Sequence, residues 1–473
     1  MAKGKEGIGM LKRLINYMED KKIIILGYGV EGQSTYRFLR EHFPEKNICI
    51  GDQNMDLLEK HIELMEDMYV EVVLGKEYLN GIEEYDLIIK APGISLKDVD
   101  ISKFENKITS QLELFLEFIN VYTIGITGTK GKSTTSTLMY QILKEQGKDA
   151  FLLGNIGEPI FSDIDQIKKE SIVVIELSSH ALEYVKTSPN IAIMLNVYEE
   201  HLDYYVSFEK YVEAKFNIAK YQKENDYFIY NADNEYMKKF NFICKDRDYA
   251  ISLQDISKQE NNVETKGVNK KSANCIYLKE NEIYCNNKKI ASTDLKMNLK
   301  GMHIINNMMF LFAVCEIMEL DFSKVFKTIE NFKPLEHRME FVGKIQGIEY
   351  YNDSIATIPE ATINSIKAIQ NINTLIVGGK DRGVDLTKLI DFLKKSEIEN
   401  IICLPKTGEN IYESLKETDK NIFFVEKLEE AVEIAKQHTK KDMVCLLSPA
   451  ASSYGYFKNF EERGKLFKKY IQE

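Results

Sequence analysis

The feature that most constrains this chain is the stretch from Thr123 to Met139, which reads TIGITGTKGKSTTSTLM. It begins with β-branched residues, continues through glycines and lysines, and ends with Ser, Thr and apolar residues at helical spacing. This order predicts a strand, a phosphate-binding loop and a helix. The backbone N–H groups of such a loop point at one spot beside the positive end of the helix dipole. The stretch therefore predicts a site for an anion with several oxygens.

The phosphate-loop pattern departs from its strict form at Ile126, where a glycine is expected. What remains is a shorter GTxGKS form, made of Gly128, Thr129, Lys130, Gly131, Lys132 and Ser133, with Thr134 following. Lys132 then places a point charge on the terminal phosphates, and the Ser133 hydroxyl is a ligand for Mg²⁺. The alternative is a glycine turn with solvated lysines, which Gly-Lys-Ser-Thr directly after a strand disfavours.

A second glycine pattern, GxGxxG, lies near the N-terminus between a predicted strand and a predicted helix. Its glycines are Gly27, Gly29 and Gly32. The pattern predicts a nucleotide on a Rossmann-like sheet and leaves the nucleotide open. Asp52 ends the next predicted strand, where its carboxylate either accepts a hydrogen bond from a ribose hydroxyl or caps a loop. A third predicted strand, residues 86–90, ends in a turn with Pro92 and Gly93, where the backbone can approach a flat base.

Polar residues also end the predicted strands that follow the phosphate loop in the chain. Asn155 stands in a GNIG loop, and Glu176 ends a buried apolar strand, where its carboxylate either holds Mg²⁺ on ATP or stabilises a helix N-terminus. His201 follows the next strand, and it is either a metal ligand or a structural histidine. Lys215 shares a helical stripe with Tyr211, which is typical of a lysine that snorkels to the surface.

The pattern of strand, polar loop and helix recurs after residue 335, which predicts a second doubly wound sheet. The predicted fold class is α/β with three domains. We expect a Rossmann-like domain over residues 1–110, a central phosphate-loop ATPase-like domain with a mainly parallel sheet over residues 111–334, and a C-terminal Rossmann-like domain over residues 335–473.

Composition excludes several classes of function. The chain has 473 residues, and its 62 basic and 73 acidic residues give a net charge of −11, so we expect no nucleic-acid partner. Seven scattered cysteines without a CxxC pair indicate reduced thiols, with neither a zinc site nor a disulfide framework. Apolar runs are too short to cross a bilayer, and the N-terminus lacks signal-peptide features, so we expect a cytoplasmic protein without a membrane partner.

Taken together, these blocks resemble the Mur ligases of bacterial peptidoglycan synthesis, and the opening and closing blocks are most similar to the glutamate-adding member. The resemblance covers nearly the whole chain. It rests on LGYGVEGQS, GTKGKST, GNIG, ELSS, NxxxxHLD, the lysine at 215, GMHxxxN, EHRME, YNDS, GGKDRG and SPAASSYGYFKNFEERG, in that order.

The resemblance implies a role for individual residues. The UDP group of the substrate is expected at Gly29, Asp52, Pro92 and Gly93. ATP is expected at the phosphate loop and at Asn155, Asn307, Arg338 and Asp353. Mg²⁺ ions are expected at Ser133, Glu176, His201 and Lys215, the lysine being carbamylated, and the residues expected to act in catalysis are Lys132, His201 and Lys215. Glutamate is expected at Thr357, Arg382, Ser453 and Phe460.

The implied activity is an ATP-dependent amide ligation with Mg²⁺, in which D-glutamate is added to UDP-N-acetylmuramoyl-L-alanine through an acyl phosphate. The metals and lysines would offset the negative charge that accumulates as two anions approach. Since groups from separate domains must converge, closure of the third domain is expected. The partners are then these small molecules, and we expect the chain to act as a monomer.

Three positions depart from the family pattern. Ile355 follows Asn-Asp-Ser where a lysine is common, which leaves open an L-glutamate-adding variant of the same ligase. Ile304 stands where an asparagine is common, although Asn307 is present, so the mode of adenine recognition stays open. His180 is more typical of the diaminopimelate- or lysine-adding enzymes, and we interpret it as a local packing substitution.

Other functions fit the sequence less well. A dehydrogenase would account for GxGxxG and Asp52 but not for the phosphate loop. A non-catalytic binding module would be expected to have lost Lys132, Glu176 or His201, and all three are present. A folylpolyglutamate-type ligase would share the central domain but would lack the separate UDP-binding opening.

Overall fold

The computed structural model describes residues 5–473 except 157, 163, 201–203, 206, 240–246, 257–273, 298–300, 333–335, 382–385 and 454. The chain divides into two compact units. The first contains residues 1–197, 205–293 and 309–328, and the second contains residues 198–204, 294–308 and 329–473. None of the helices in the described part of the chain is long and apolar enough to span a membrane.

The first sheet has five parallel strands in the order β3-β2-β1-β4-β5. The strands are β1 Ile23–Leu26, β2 Ile48–Asp52, β3 Val70–Leu74, β4 Leu87–Lys90 and β5 Ile108–Thr109. The helices of this region are α1 Lys5–Met18, α2 Val30–His42, α3 Leu57–Lys60, α4 Glu63–Glu66 and α5 Gln111–Phe118. Strand order reverses between β1 and β4, and open α/β sheets bind ligands at such a point.

The second sheet has nine strands in the order β14-β13-β12-β11-β10-β9-β6-β8-β7. The strands are β6 Tyr122–Thr127, β7 Ala150–Gly154, β8 Ile172–Glu176, β9 Ile191–Met194, β10 Tyr227–Asn231, β11 Tyr249–Ser252, β12 Asn274–Lys279, β13 Glu282–Cys285 and β14 Lys288–Ser292. Strand β13 pairs in antiparallel fashion with both β12 and β14, and β14 is an edge of the sheet. On β14, Lys288 and Lys289 are exposed, and the ammonium of Lys289 lies 2.8 Å from the carboxylate of Glu282.

In the described part of the chain, five α-helices come between β6 and the strands of the third sheet in sequence order. They are α6 Lys132–Glu145, α7 Ser179–Leu182, α8 Phe208–Lys220, α9 Met302–Ile317 and α10 Phe322–Asn331. Helices α6 and α8 carry buried residues along one face, as expected of helices that cover a parallel sheet. The boundary between the two compact units falls within α9 and again within α10.

The third sheet belongs to the second unit and has the order β15-β16-β20-β17-β18-β19. Its strands are β15 Glu340–Ile345, β16 Ile348–Asn352, β17 Ile372–Gly379, β18 Asn400–Lys406, β19 Asn421–Phe424 and β20 Val444–Leu447. Its helices are α11 Pro359–Ala368, α12 Thr387–Lys395, α13 Thr407–Leu415, α14 Leu428–His438 and α15 Phe460–Gln472. All pairs except β15 with β16 are parallel, and the order reverses between β17 and β20.

The hydrophobic cores are built on the central strands of the sheets, which are rich in apolar residues. Strand β1 has the sequence IIIL and β20 has VCLL, and every residue of both strands is buried. Two apolar clusters cover the opposite faces of the third sheet. Because both faces of a central parallel strand are covered by helices, such strands read as continuous apolar runs rather than alternating ones.

The predicted α/β class is confirmed, and the strands and helices lie close to their predicted positions. The strands predicted before Glu176 and before His201 are both present, as β8 and β9. Helix α8 begins at Phe208 because Ser207 caps it, with its hydroxyl accepting a hydrogen bond from the N–H of Lys210. The predicted domain boundaries at residues 110/111 and 334/335 stay predictions; residue 334 itself lies outside the described residues.

Gly32 has no room for a side chain, so we predict that replacing it destabilises the protein. A Cβ atom built on Gly32 would lie 2.0 Å from the carbonyl oxygen of Gly27, whereas one built on Gly29 would meet nothing within 4 Å. We expect Gly32→Ala to lower the free energy of unfolding by about 1–3 kcal/mol, since the helix must move away from the strand. Gly29→Ala is the matched control, with an expected change within about 0.5 kcal/mol. Urea unfolding, followed by circular dichroism, measures the free energy of unfolding of each variant. Equal stability of the two variants would contradict the packing argument.

Candidate active site

The phosphate loop lies at the carboxyl end of β6, where this strand ends at Thr127 and helix α6 begins at Lys132. Gly131 precedes the helix with φ +90°, a left-handed conformation that glycine adopts without strain. The loop therefore turns sharply into the helix, and its N–H groups lie beside the positive end of the helix dipole.

Asn196 fixes the shape of this loop. Its side-chain oxygen accepts a hydrogen bond from the N–H of Lys130 at 2.8 Å, and its side-chain amide donates to the Lys130 carbonyl at 2.8 Å. The Asn196 backbone carbonyl also accepts from the N–H of Thr129 at 2.9 Å. One residue just beyond β9 thus holds two successive residues of the loop. The sequence carries a signal for Asn196, since it follows an apolar strand much as Glu176 ends one, but we predicted no role for it.

Two lysines converge on one carbonyl oxygen of the loop. The ammonium groups of Lys132 and Lys215 each donate a hydrogen bond of 3.0 Å to the carbonyl of Gly128. Lys215 is only 2% exposed, and its ammonium lies 4.8 Å from the ring centre of Tyr211. The expectation that Lys215 snorkels to the surface is therefore wrong, because helix α8 turns this side chain inward onto the loop. The Tyr211 hydroxyl itself lies 2.8 Å from the Thr129 hydroxyl, which adds a second contact from α8 to the loop.

Glu176 fits the role of a metal ligand. It ends β8 next to β6 and is 2% exposed. The side-chain amide of Asn155 donates to its Oε1 at 3.0 Å, while Oε2 is buried and has no hydrogen-bond partner among the described residues. An oriented carboxylate with a free buried oxygen suits Mg²⁺, which prefers oxygen ligands. The alternative role at a helix N-terminus is filled by Ser178, whose hydroxyl accepts from the N–H of Ala181 and caps α7.

At the first sheet, the loop after β1 and the Asp52 carboxylate lie together. Asp52 accepts a hydrogen bond from the N–H of Tyr28 at 2.7 Å and another from the N–H of Asn54 at 2.7 Å. The loop-capping alternative thus describes what Asp52 does in this structure. Its predicted contact with a ribose, and the roles of Gly29, Pro92 and Gly93 in holding UDP, stay predictions. Pro92 and Gly93 follow β4 at the same carboxyl edge of the sheet.

In the second unit, Asp353 lies just after β16 and is 3% exposed. One carboxylate oxygen accepts from the N–H of Met339 at 3.1 Å, and the other accepts from the hydroxyls of Ser365 at 2.6 Å and Ser448 at 2.9 Å. These donors hold the carboxylate firmly, although burial raises its pKa. The network ties three segments of the third sheet together, and the predicted contact with ATP stays a prediction.

The remaining predicted residues of the second unit lie at varied depths. Arg338 is partly exposed, and its charge, added to burial, lowers the pKa of His303 to about 4. Asn307 is 5% exposed on α9. The hydroxyl of Thr357 donates to the Glu200 carboxylate at 3.1 Å. The burial and hydrogen bonds of these residues do not show whether they contact ATP or glutamate, so those contacts stay predictions.

The residues of the closing block lie near the carboxyl ends of β17 and β20. Ser453 is buried, and its carbonyl accepts from the N–H groups of Tyr456 and Phe457. The Phe460 carbonyl accepts from the Ser354 hydroxyl at 2.7 Å. His201 and Arg382 lie outside the described residues, so their predicted roles stay predictions.

The positions that depart from the pattern have ordinary packing environments. Ile304 is 2% exposed, and Ile355 is partly buried. The His180 ring stacks on Tyr205 with centroids 5.6 Å apart, which supports the packing interpretation of this residue.

The loop, its two lysines and the neighbouring carboxylate define a phosphate-loop protein of the α/β class. Comparison with known proteins narrows this class. The Mur ligase middle domain matches residues 126–315, and the glutamate ligase domain of Mur ligases matches residues 337–451. The UDP-N-acetylmuramoylalanine–D-glutamate ligase of Clostridium tetani is 33% identical over 96% of this chain and 97% of its own length. The enzyme of the same name from Clostridium botulinum strain 657 is 32% identical over 99% of both chains.

Solved structures share the fold. The UDP-N-acetylmuramate–alanine ligase of Thermotoga maritima aligns with a TM-score of 0.59 at 18% identity, over 96% of this chain and 99% of that one. The MurF ligase of the same organism, solved in complex with ADP, aligns with a TM-score of 0.55 at 15% identity, over 90% of this chain and 96% of that one. The chain belongs to the Mur ligase family.

The contacts of Asn196 generate the second prediction. Asn196→Leu keeps the side-chain size but leaves the N–H and carbonyl of Lys130 without these partners, so the loop loses its preformed shape. We expect the Kd for ATP to rise about tenfold, equal to about 1.4 kcal/mol, measured by isothermal titration calorimetry.

Asn190→Leu is the matched control for this experiment. The Asn190 side chain accepts from the N–H of Thr123 at 3.0 Å, at the opposite end of β6 from the phosphate loop. This variant should lose stability without a change in the Kd for ATP. A similar loss of ATP affinity in both variants would contradict the role given to Asn196.

Proposed function

We propose that the protein is an ATP-dependent ligase that joins D-glutamate to UDP-N-acetylmuramoyl-L-alanine in peptidoglycan precursor synthesis. The observation that carries the proposal is the convergence of Lys132 and Lys215 on the Gly128 carbonyl of the phosphate loop. The Lys132 ammonium suits a polyphosphate, and Lys215 reaches the same point of the loop from α8. The substrate follows from the name shared by relatives about 32% identical over nearly the full chain.

In this proposal, the loop N–H groups and Lys132 bind the phosphates of ATP, and Ser133 and Glu176 hold Mg²⁺. The free Oε2 of Glu176 and the Asn155 amide on Oε1 support the assignment, since a ligand carboxylate is usually oriented by such a partner. When bound, Mg²⁺ neutralises charge on the phosphate oxygens.

The first step transfers the terminal phosphoryl group of ATP to an oxygen of the L-alanine carboxylate. The bond from phosphorus to the ADP oxygen breaks while the bond to the carboxylate oxygen forms, which gives an acyl phosphate and ADP. Lys132 stabilises the transferred group because its ammonium lies at the loop that holds the phosphates. The step is needed because a free carboxylate does not accept an amine.

The second step forms the amide. The neutral amine of glutamate attacks the acyl carbon, a proton leaves the nitrogen, and the tetrahedral intermediate expels inorganic phosphate. We propose that Thr357, Arg382, Ser453 and Phe460 receive the glutamate. Ile355 adds no positive charge beside them, so the choice between glutamate enantiomers must come from other groups.

We also propose that Lys215 acts as a carbamate. An ammonium cannot bind Mg²⁺, whereas a carbamate presents anionic oxygens. Placing the buried ammonium of Lys215 and the partly buried ammonium of Lys132 at one carbonyl is also unfavourable, because like charges close together repel. The neutral Lys215 amine, formed by loss of a proton, adds to the carbon of CO₂ and loses a second proton, which gives the anionic carbamate. This change replaces the repulsion by attraction to Lys132 and would supply anionic oxygens to a metal.

A phosphate-release assay tests the proposed function. With ATP, Mg²⁺ and UDP-N-acetylmuramoyl-L-alanine, we expect phosphate release that depends on D-glutamate. Activity with L-glutamate alone would assign the chain to the variant that adds the other enantiomer. No release with either enantiomer would refute the ligase assignment.

Chemical rescue tests the carbamate. We expect Lys215→Ala to lose most of its phosphate release and to regain part of it in the presence of acetate or propionate, whose carboxylate occupies the place of the carbamate. Lys132→Ala is the matched control, because it donates to the same carbonyl but acts as a cation, and carboxylates should not restore it. Absence of rescue at Lys215, or equal rescue of both variants, would count against the carbamate.

A further inference from the structure

Gln111 is a buried polar residue in the helix that separates the first and second sheets along the chain. It is the first residue of α5 and is 0% exposed. Its side-chain amide donates hydrogen bonds to the Glu31 carbonyl at 3.0 Å and to the Thr35 hydroxyl at 2.8 Å. Its side-chain oxygen accepts from the N–H of Phe161 at 3.3 Å. The polar atoms of this one side chain therefore join α2 to the segment that follows β7.

The contacts of Gln111 on α2 are made at the end of the helix that is nearest to the predicted sugar-nucleotide site. Glu31 lies in the first turn of α2, directly after Gly29. The Thr35 hydroxyl also donates to the Glu31 carbonyl at 3.0 Å, so both partners of the Gln111 amide are bonded to each other. Helix N-termini bind phosphate groups, and the sequence predicts the UDP group at the loop ahead of α2. Gln111 thus fixes the part of α2 that leads into this loop.

The segment after β7 connects the same side chain to the candidate metal ligand. This segment begins at Asn155, whose side-chain amide donates to the Glu176 carboxylate at 3.0 Å and whose N–H donates to the Glu176 carbonyl at 3.1 Å. Further along the segment, Phe161 donates its N–H to Gln111. One end of the segment is therefore fixed to the residue proposed to hold Mg²⁺, and the other end is fixed to Gln111.

Two more contacts seat this segment on α2. The rings of Phe38 and Phe161 pack with centroids 4.6 Å apart, and the hydroxyls of Ser34 and Ser162 lie 3.3 Å apart. Ser34 and Phe38 are buried residues of α2 and lie four positions apart, so they share one face of the helix. We therefore expect the segment and α2 to hold a fixed relative position, with Gln111 bonded to both.

From this arrangement we propose that Gln111 is a positioning residue for the first chemical step. It sets the place of α2 relative to the pair formed by Asn155 and Glu176, so that the carboxylate of the sugar nucleotide reaches the terminal phosphate of ATP. Reacting atoms must be held about 3–3.5 Å apart, and a displacement of about 1 Å can slow a reaction about 100-fold. The proposal rests on the proposed function, because it takes UDP-N-acetylmuramoyl-L-alanine and ATP as the two ligands.

The competing explanation is that Gln111 only stabilises the fold. Loss of its hydrogen bonds would then lower the free energy of unfolding and leave the turnover of the folded enzyme unchanged. The positioning role predicts a different pattern, because each ligand keeps its own contacts while the two ligands are no longer aligned with each other. The kcat for phosphate release should then fall, while the Kd values for UDP and for ATP, each measured alone, stay the same.

The experiment compares the wild-type chain with Gln111→Met, which keeps the length of the side chain and removes the amide. We expect the kcat for phosphate release, measured with ATP, Mg²⁺, UDP-N-acetylmuramoyl-L-alanine and the glutamate enantiomer that the wild-type chain uses, to fall by about tenfold to 100-fold. The Kd values for UDP and ATP, measured by isothermal titration calorimetry, should stay within about twofold, because a fully buried side chain contacts neither ligand. An unchanged kcat, or a loss of affinity for both ligands, would overturn the proposal.

Gln222→Met is the matched control. Gln222 is another glutamine of the first unit, and its side-chain amide donates to the carbonyls of Pro189 at 3.3 Å and Tyr227 at 2.7 Å. These partners lie at the starts of β9 and β10, at the opposite end of the second sheet from the phosphate loop. The control loses the same kind of hydrogen bonds, so its stability should fall while its kcat is kept. An equal fall of kcat in both variants would also overturn the proposal.

Thr35→Val decides the question if Gln111→Met does not fold. Valine has the shape of threonine but cannot accept the hydrogen bond from the Gln111 amide. Since only one of the contacts of Gln111 is lost, we expect a smaller fall of kcat, about threefold, with unchanged Kd values for UDP and ATP. In that case, an unchanged kcat of Thr35→Val would overturn the proposal.

Failure of this inference differs from failure of the proposed function. If the wild-type chain releases phosphate with its substrates and Gln111→Met does so at the same kcat, the ligase stands and the role of Gln111 falls. If the wild-type chain releases no phosphate with either glutamate enantiomer, both fall.

Discussion

The carbonyl oxygen of Gly128 is the point on which the candidate site depends. It accepts hydrogen bonds from two ammonium groups, one at the start of α6 and one on α8, which brings a second helix to the phosphate loop. Two ammonium groups this close repel one another unless an anion shares the site or one of the two side chains is itself converted to an anion, as proposed for Lys215. The loop can hold this geometry because Asn196 binds both the N–H and the carbonyl of Lys130. Asn196 thus fixes the shape of the loop, and Lys132 and Lys215 bring their side-chain nitrogens to it.

Three carboxylates at the ends of parallel strands serve different purposes, and their hydrogen bonds distinguish them. Both oxygens of Asp52 accept from backbone N–H groups, and Asp353 accepts from three donors. These two carboxylates hold loops in place. Glu176 uses only one oxygen for an internal contact, so it has an oxygen to offer a metal. Sequence position alone puts all three in equivalent places, and only the count of internal donors separates them.

How much could be predicted from the sequence varied with the kind of feature. Buried parallel strands are continuous apolar runs, so β1, β8, β9 and β20 were predictable, as were the polar residues that follow them. The inward direction of Lys215 was not, because a lysine on an apolar stripe is usually exposed and only the packing of α8 on the loop decides otherwise. Asn196 was missed because an asparagine after a strand is typical of ordinary turns.

The two lysines at the start of β14 have a consequence for the behaviour of the chain at high concentration. An edge strand exposes unpaired backbone groups that can recruit the edge of another sheet, which leads to aggregation. Lys288 places positive charge at that outer edge, where a like-charged copy approaching in the same way would be repelled, and Lys289 forms an ion pair with Glu282 of the neighbouring strand. The charge at the start of β14 thus disfavours association of two copies of this sheet through that edge.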